Sequence, residues 1–234
     1  MKIKSILTKW SKLGAAFNVK AADTTPDIEQ LLIDTAIVLP QNARLFAVAI
    51  TWLCKNYRLV CRHRLAGLAP RIDDQQTSAA LGLLLDTVKS KLDIDHFNIV
   101  IKKCKTLNEP LPLFEVDRKN HKLATMAKIT SCETGIKWGL WCPKPQLKED
   151  ALKSTDWIMN ENTKLINRAL FNGNLRASIL ETLTYDKQAG QSESALARYC
   201  GVTRKALREA LDHLEFCRMI TRNSIAGKTK IIIP

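Results

Sequence analysis

Apolar positions along this chain recur mostly at helical spacing. Ile3, Ile6, Leu7, Trp10 and Leu13 alternate with Lys2, Lys4, Lys9 and Lys12, which describes a short amphipathic basic helix. It heads an expected N-terminal arm and linker over residues 1–25, closing at Ala21–Pro26; such a helix can lie on an anionic surface, on a partner, or on its own protein. Asp27–Val38 then reads as a helix with Ile28, Leu31, Leu32 and Thr35 on one face, punctuated by Pro40. Asn42–Lys55 is apolar enough to predict a buried helix. Asp73–Leu92 sets Leu81, Leu84, Leu85 and Val88 at core spacing, and Phe97–Lys105, His121–Ser131 and Leu147–Ala169 carry further helical patterning. Pro110 and Pro112 lack donors and fix φ, so residues 108–112 form a loop. Trp138–Pro145 reads as an aromatic-rich loop. The run Phe171-Asn172-Gly173-Asn174 is a turn signal that closes a helical domain over residues 26–170.

The pattern beyond that turn is more specific. Leu175, Ile179, Leu180 and Leu183 give a first helix its buried stripe, and Asp186–Gln191 is a polar connector. Ser192 can cap a second helix, Glu193–Cys200. Gly201 sits where a sharp turn needs positive φ, and Val202 plugs that turn. Thr203 can cap a third helix, Arg204–Glu215, whose Ala206, Leu207, Ala210, Leu211 and Leu214 share one face. Met219–Asn223 and Lys228–Ile233 are strand-like around Ser224–Gly227, a hairpin loop.

The stretch Ser194–Leu211 resembles a helix-turn-helix. With the hairpin that follows, residues 174–234 resemble the winged helix-turn-helix family of DNA-binding domains. The expected fold class is therefore mainly α: a helical N-terminal domain followed, over residues 171–234, by a winged helix-turn-helix of three helices plus a β-hairpin that folds alone. No strand is evident before the second helix, so the connector is expected to pair briefly with the hairpin.

The resemblance implies a partner, double-stranded DNA, and a set of contacts. Thr203, Arg204 and Lys205 occupy the first turn of the implied recognition helix, with Arg208 one turn later; arginine there can read guanine edges. Arg222, Lys228 and Lys230 alternate with apolar residues on the hairpin, giving an expected basic face toward the DNA backbone. The net charge of +13 and pI near 9.5 suit a polyanionic partner. The region from Trp52 to Arg71 holds five basic residues and no acid, including Arg62 and Arg64. The order of a short helix His63–Ala69 and a longer one Gln75–Leu92 faintly resembles a second, degenerate helix-turn-helix. Its alternative is a platform for dimerisation or for a partner protein.

Other chemistry finds little footing. The seven cysteines (54, 61, 104, 132, 142, 200, 217) include no Cys-x-x-Cys, and Cys54, Cys61 and His63 lack a second pair at zinc spacing. They read as free thiols, mostly small buried hydrophobes, in a cytoplasmic protein. No phosphate loop or hydrolase motif is present, and Asp93, Asp95 and His96 read as a solvated helix end. No metal, cofactor, catalytic residue or membrane partner is expected. The expected function is a sequence-specific transcriptional regulator, for instance the autoregulator of a defence or toxin–antitoxin operon. A replication initiator with two winged helices and a protein-binding adaptor are the alternatives.

Overall fold

The computed structural model describes residues 3–225 and 228–234; of Ser224, Ile225 and Lys228 it describes the backbone. Helices account for 63% of the chain, in fourteen α-helices against four short strands among the described residues. The protein is thus mainly helical. Among the described residues, no helix is long and apolar enough to cross a membrane. The chain divides into two compact units: Met1–Tyr57 with Ile72–Lys164, and Arg58–Arg71 with Leu165–Pro234.

The first unit begins with α1 (Ile3–Lys12), α2 (Ile28–Val38) and α3 (Ala43–Asn56). Asp27 and Asn42 cap the latter two by accepting the backbone N–H groups of Gln30 and Leu45. α1 is a core element rather than an arm. Its Ile6 and Trp10 are 0% exposed, Trp10 Nε1 donates to Thr35 Oγ1 at 2.8 Å, and its ring meets Trp52 edge-on at 5.5 Å. The apolar stripe of an amphipathic helix needs an apolar partner, and α2 and α3 supply one. The lysines stay at the rim, where Lys9 pairs with Asp34 and Lys12 with Glu161.

The chain then leaves for the second unit with α4 (Arg62–Leu68) and returns as α5 (Gln75–Leu92), capped by Asp74. α5 packs on both α2 and α3. Short helices follow: α6 (Asn98–Ile101), α7 (Glu115–Arg118), α8 (His121–Ile129) and α9 (Glu133–Trp138). Both expected loops hold a short strand. β1 (Leu111–Pro112) and β2 (Leu140–Trp141) pair in parallel, with Leu111 opposite Leu140. Pro112 is tolerated because the two-residue strand lies at an edge. The aromatic run is anchored by Trp138, which is buried and donates through Nε1 to Asp86. Its ring lies against Gly82, where a Cβ would fall 2.2 Å from Cζ3. α10 (Thr155–Glu161) closes the unit. The helical pattern over 147–169 is broken here because Asn162 leaves helical geometry, buries its side chain and donates to the carbonyls of Lys12 and Ile158.

The second unit comprises α4, α11 (Ile166–Leu170), α12 (Leu175–Tyr185), α13 (Glu193–Tyr199), α14 (Arg204–Phe216) and an antiparallel pair, β3 (Thr221–Ile225) with β4 (Lys228–Ile232). Asn172 and Gly173 adopt φ of 47° and 58°, which forms the turn before α12. One core holds the unit: Ile179, Leu180, Leu196, Leu207, Leu211, Leu214, Ile220 and Ile231 are buried together. The strands run past the expected hairpin loop, pairing through Ile225 and Lys228; Ala226 and Gly227 of that loop lie outside the described residues. The connector before α13 forms a 3-10 turn, Ala189–Gln191, instead of a strand. It still meets the hairpin, because Gly190 lies so near β4 that a Cβ would sit 2.3 Å from the Ile231 carbonyl oxygen.

The expected second helix-turn-helix is not formed, since α4 and α5 belong to different units. α4 instead packs on α12 and α13. The approach at Gly67 is tight enough that a Cβ there would lie 1.8 Å from the Tyr199 carbonyl oxygen. That atom is backbone and cannot swing away. Gly67→Ala should therefore push α4 off α13 and cost about 2–3 kcal/mol, lowering the unit's melting midpoint by roughly 10 °C or more. Thermal melting of the full chain checks this, with an Ala substitution at an exposed position such as Lys187 as the neutral reference; equal melting of the two would disprove the close approach.

Candidate nucleic-acid interface

The junction between α13 and α14 decides what α14 presents. Ser192 caps α13 by accepting from Ala195 N at 3.1 Å. Gly201 has φ of 63°, which turns the chain sharply, and Val202 tucks in half-buried. Thr203 then caps α14, its hydroxyl accepting from Ala206 N at 3.3 Å. Leu207, Ala210, Leu211 and Leu214 face the core. By helical periodicity Arg204, Lys205 and Arg208 must face outward, and all three are exposed. No acidic residue occupies the first turn of α14, so its positive dipole end is uncompensated by its own side chains and favours an anion.

These cations differ in how free they are. Arg204 and Lys205 make no ion pair with a described residue. Arg208 Nε donates to Glu193 Oε2 at 2.8 Å, yet its side chain is 60% exposed. A pair this accessible contributes little and can be exchanged for a phosphate.

The hairpin divides the remaining expected residues by register. Directly opposed residues on an antiparallel pair share a face. Arg222 lies opposite Ile231, which is buried, whereas Lys230 lies opposite Asn223, and both of these are exposed. Arg222 is therefore not on one basic face with Lys230. It reaches back to α14, where Nε donates to Glu215 Oε2 at 2.8 Å and Nη2 lies 2.7 Å from Asp212 Oδ1. The Arg222 guanidinium holds the Glu215 carboxyl below the usual carboxylate range, and Glu215 in turn raises the guanidinium. This contact fastens the hairpin to α14. Lys228 has the parity of Lys230 along β4; its side chain lies outside the described residues.

Arg62 and Arg64 are held in a different role. Arg64 is 3% exposed, bonds Asp186 at 3.2 Å and stacks over the Tyr185 ring at 5.2 Å. Arg62 is half-buried, and its backbone N–H donates to the Gly173 carbonyl. Burial, with Arg62 second, lowers the neighbouring His63 to a pKa of about 4, so that ring is uncharged at neutral pH. Arg64 thus joins segment Arg58–Arg71 to its unit through its buried side chain, and Arg62 does so through its backbone. Sequence reading also passed over Arg198 on α13 and Arg218 after α14, both exposed. Arg218 has φ of 56°, a conformation no local pattern announces for arginine.

Charge is distributed unevenly between the units. The second holds 15 Lys and Arg against six Asp and Glu, a surplus of nine out of the chain's +13. Among the described residues, no group of three His, Cys, Asp or Glu side chains could hold a metal ion.

Two kinds of arginine should separate on mutation. Arg64→Ala strands the partly buried Asp186 and should cost roughly 3 kcal/mol, whereas Arg204→Ala should stay within about 0.5 kcal/mol; chemical denaturation of the full chain compares them, and an Arg64 variant as stable as wild type would contradict the structural role. No family model, no curated protein and no solved structure matches this chain.

Proposed function

We propose that the second unit is a winged helix-turn-helix that binds double-stranded DNA, with α14 in the major groove and the β3–β4 hairpin along the backbone, in a sequence-specific transcriptional regulator. The observation that carries this reading is the concentration of +9 in the second unit together with two exposed cations on the first turn of α14, Arg204 and Lys205, that make no ion pair among the described residues. Three features support it. The order of three helices and a hairpin suits that family. The uncompensated dipole end of α14 suits a phosphate, and Arg204 and Arg208 lie four residues apart on an outward stripe, the spacing at which two side chains reach successive base edges. Lys230 adds a backbone contact on the outward face of the hairpin.

Four such cations, Arg204, Lys205, Arg208 and Lys230, imply that the logarithm of affinity falls with the logarithm of salt at a slope of about −3 to −4. The test is selection of the full-length protein against a randomised duplex pool, followed by titration of the selected and scrambled duplexes at several salt concentrations. Arg204→Ala should cost about 1–3 kcal/mol on the selected site and relax its sequence preference. Lys230→Ala should weaken both duplexes equally and reduce the slope by about one unit. Arg222→Ala should instead loosen the hairpin and lower thermal stability. Failure of the pool to enrich, or a slope near zero, would refute the DNA reading and favour a protein-binding adaptor.

A further inference from the structure

The first unit contains a cleft of about 720 Å³ whose lining includes Cys132, Glu133, Thr134, Ser90, Lys91 and Lys144. Cys132 stands at the mouth of α9, half-buried. Behind it, just past β2, lies Cys142, fully buried. Two observations join them. The Cys132 backbone N–H donates to the Cys142 carbonyl at 2.9 Å, which keeps the two residues directly apposed, and the Cys142 backbone N–H donates to Oγ of the adjoining Ser131 at 3.2 Å. The close packing at Gly135, where a Cβ would fall 2.8 Å from the Leu140 carbonyl oxygen, holds α9 against the strand that delivers Cys142. Both cysteines are free thiols. One thiol reachable from a cleft and a second, buried, on the residue bonded to its backbone is the arrangement of a nucleophile with a resolving partner.

We propose that Cys132 and Cys142 form a redox-active dithiol whose substrate is a small charged disulfide bound in this cleft. Lys91 and Lys144 suit carboxylates on such a molecule and Glu133 suits an ammonium group, while the volume suits a ligand of peptide size. Hydrogen peroxide would need no such cleft. In the first step the Cys132 thiolate attacks one sulfur of the disulfide; a Cys132–S–S–R bond forms, the S–S bond of the substrate breaks, and RS⁻ leaves. In the second, the Cys142 thiol gives its proton to that RS⁻ and attacks Cys132 Sγ; the protein disulfide forms and a second RS⁻ leaves, taking the proton originally lost by Cys132 from solvent. Two protein thiols lose two electrons, and one disulfide becomes two thiols.

Electrostatics suit this order. Cys132 has its pKa lowered to about 5, chiefly by the neighbouring Cys142 side chain and further by the hydrogen bond with Thr134, so it is a thiolate at neutral pH. Cys142 is pushed strongly upward, first by the neighbouring Cys132 side chain and then by burial and by the Cys132 charge. Two of those three causes vanish once Cys132 is converted to a neutral mixed disulfide. Burial remains, but Cys142 is more readily deprotonated after the first step than before it.

The experiment treats the reduced full-length protein with glutathione disulfide, followed by alkylation and peptide mapping. The wild type should form a Cys132–Cys142 linkage and retain no glutathione at either position. Cys142→Ser should trap one glutathione on Cys132, and Cys132→Ser should trap none on Cys142. Iodoacetamide should alkylate Cys132 at a rate that is flat from about pH 6 to 8, unlike a free cysteine peptide, whose rate rises across that range. Mapping of the wild type decides the matter even where a variant folds poorly. A linkage through other cysteines, glutathione stranded on wild-type Cys132, or a linkage made by hydrogen peroxide but not by glutathione disulfide would overturn the proposal.

Discussion

The second unit depends on two places where backbone meets backbone with no room for a side chain. At Gly67 the chain touches the Tyr199 carbonyl, and at Gly173 a Cβ would fall 2.0 Å from the carbonyl of Val60. Both bring Arg58–Arg71 against helices more than a hundred residues later in sequence. Around them lie interactions that reward the approach. Buried Arg168 donates to the Leu59 carbonyl at 3.0 Å and pairs with Glu181 at 2.7 Å. Arg64 meets Asp186, and the Arg71 guanidinium sits 4.4 Å above the Tyr199 ring. The enclosed guanidiniums of Arg64 and Arg168 are tolerable only because each has a partner. The turn leading into α14 is therefore braced from behind by a segment that local pattern assigns elsewhere.

Much of the helical content was legible because its signals are local. Asp27, Asn42, Ser192 and Thr203 all cap the helices they were read to start, and the apolar stripe of Arg204–Phe216 faces the core. Gly201 takes the positive φ its position demanded. Failures cluster where a distant partner decides. What the α1 stripe packs on was left open because Trp52 and Thr35, which receive it, lie some 25 to 42 residues away. Arg222 was read by strand alternation alone, but its face follows from register with Ile231, and its role from two acids on α14. Arg62 and Arg64 belong to a charge run whose environment no spacing rule reveals. In the candidate site, Arg204, Lys205 and Arg208 were legible for the opposite reason: helix periodicity alone places them outward.

The first unit keeps several acids inside its helical packing. Glu29, Asp34 and Asp86 are nearly inaccessible. Asp34 is met by Lys9 and Gln30, and Asp86 by Lys137 and Trp138. Directional partners of this kind select one arrangement of helices where apolar contacts alone would accept several. The same economy of placement sets the two thiols beside one another at the cleft.

The split of the second unit has a consequence for its birth on the ribosome. Arg58–Arg71 emerges more than a hundred residues before α12 and α13, and at roughly 5–20 residues per second the interval is about 5–25 s. For that time Leu65, Leu68 and the Arg64 guanidinium, all buried in the finished protein, have no native partners to meet. Residues 165–200 must follow before the helix pair ahead of α14 can be braced. The outward face of α14 is thus presented only after both parts of the second unit have been made, so a product released before residue 165 would carry the first unit's helices without a finished second unit.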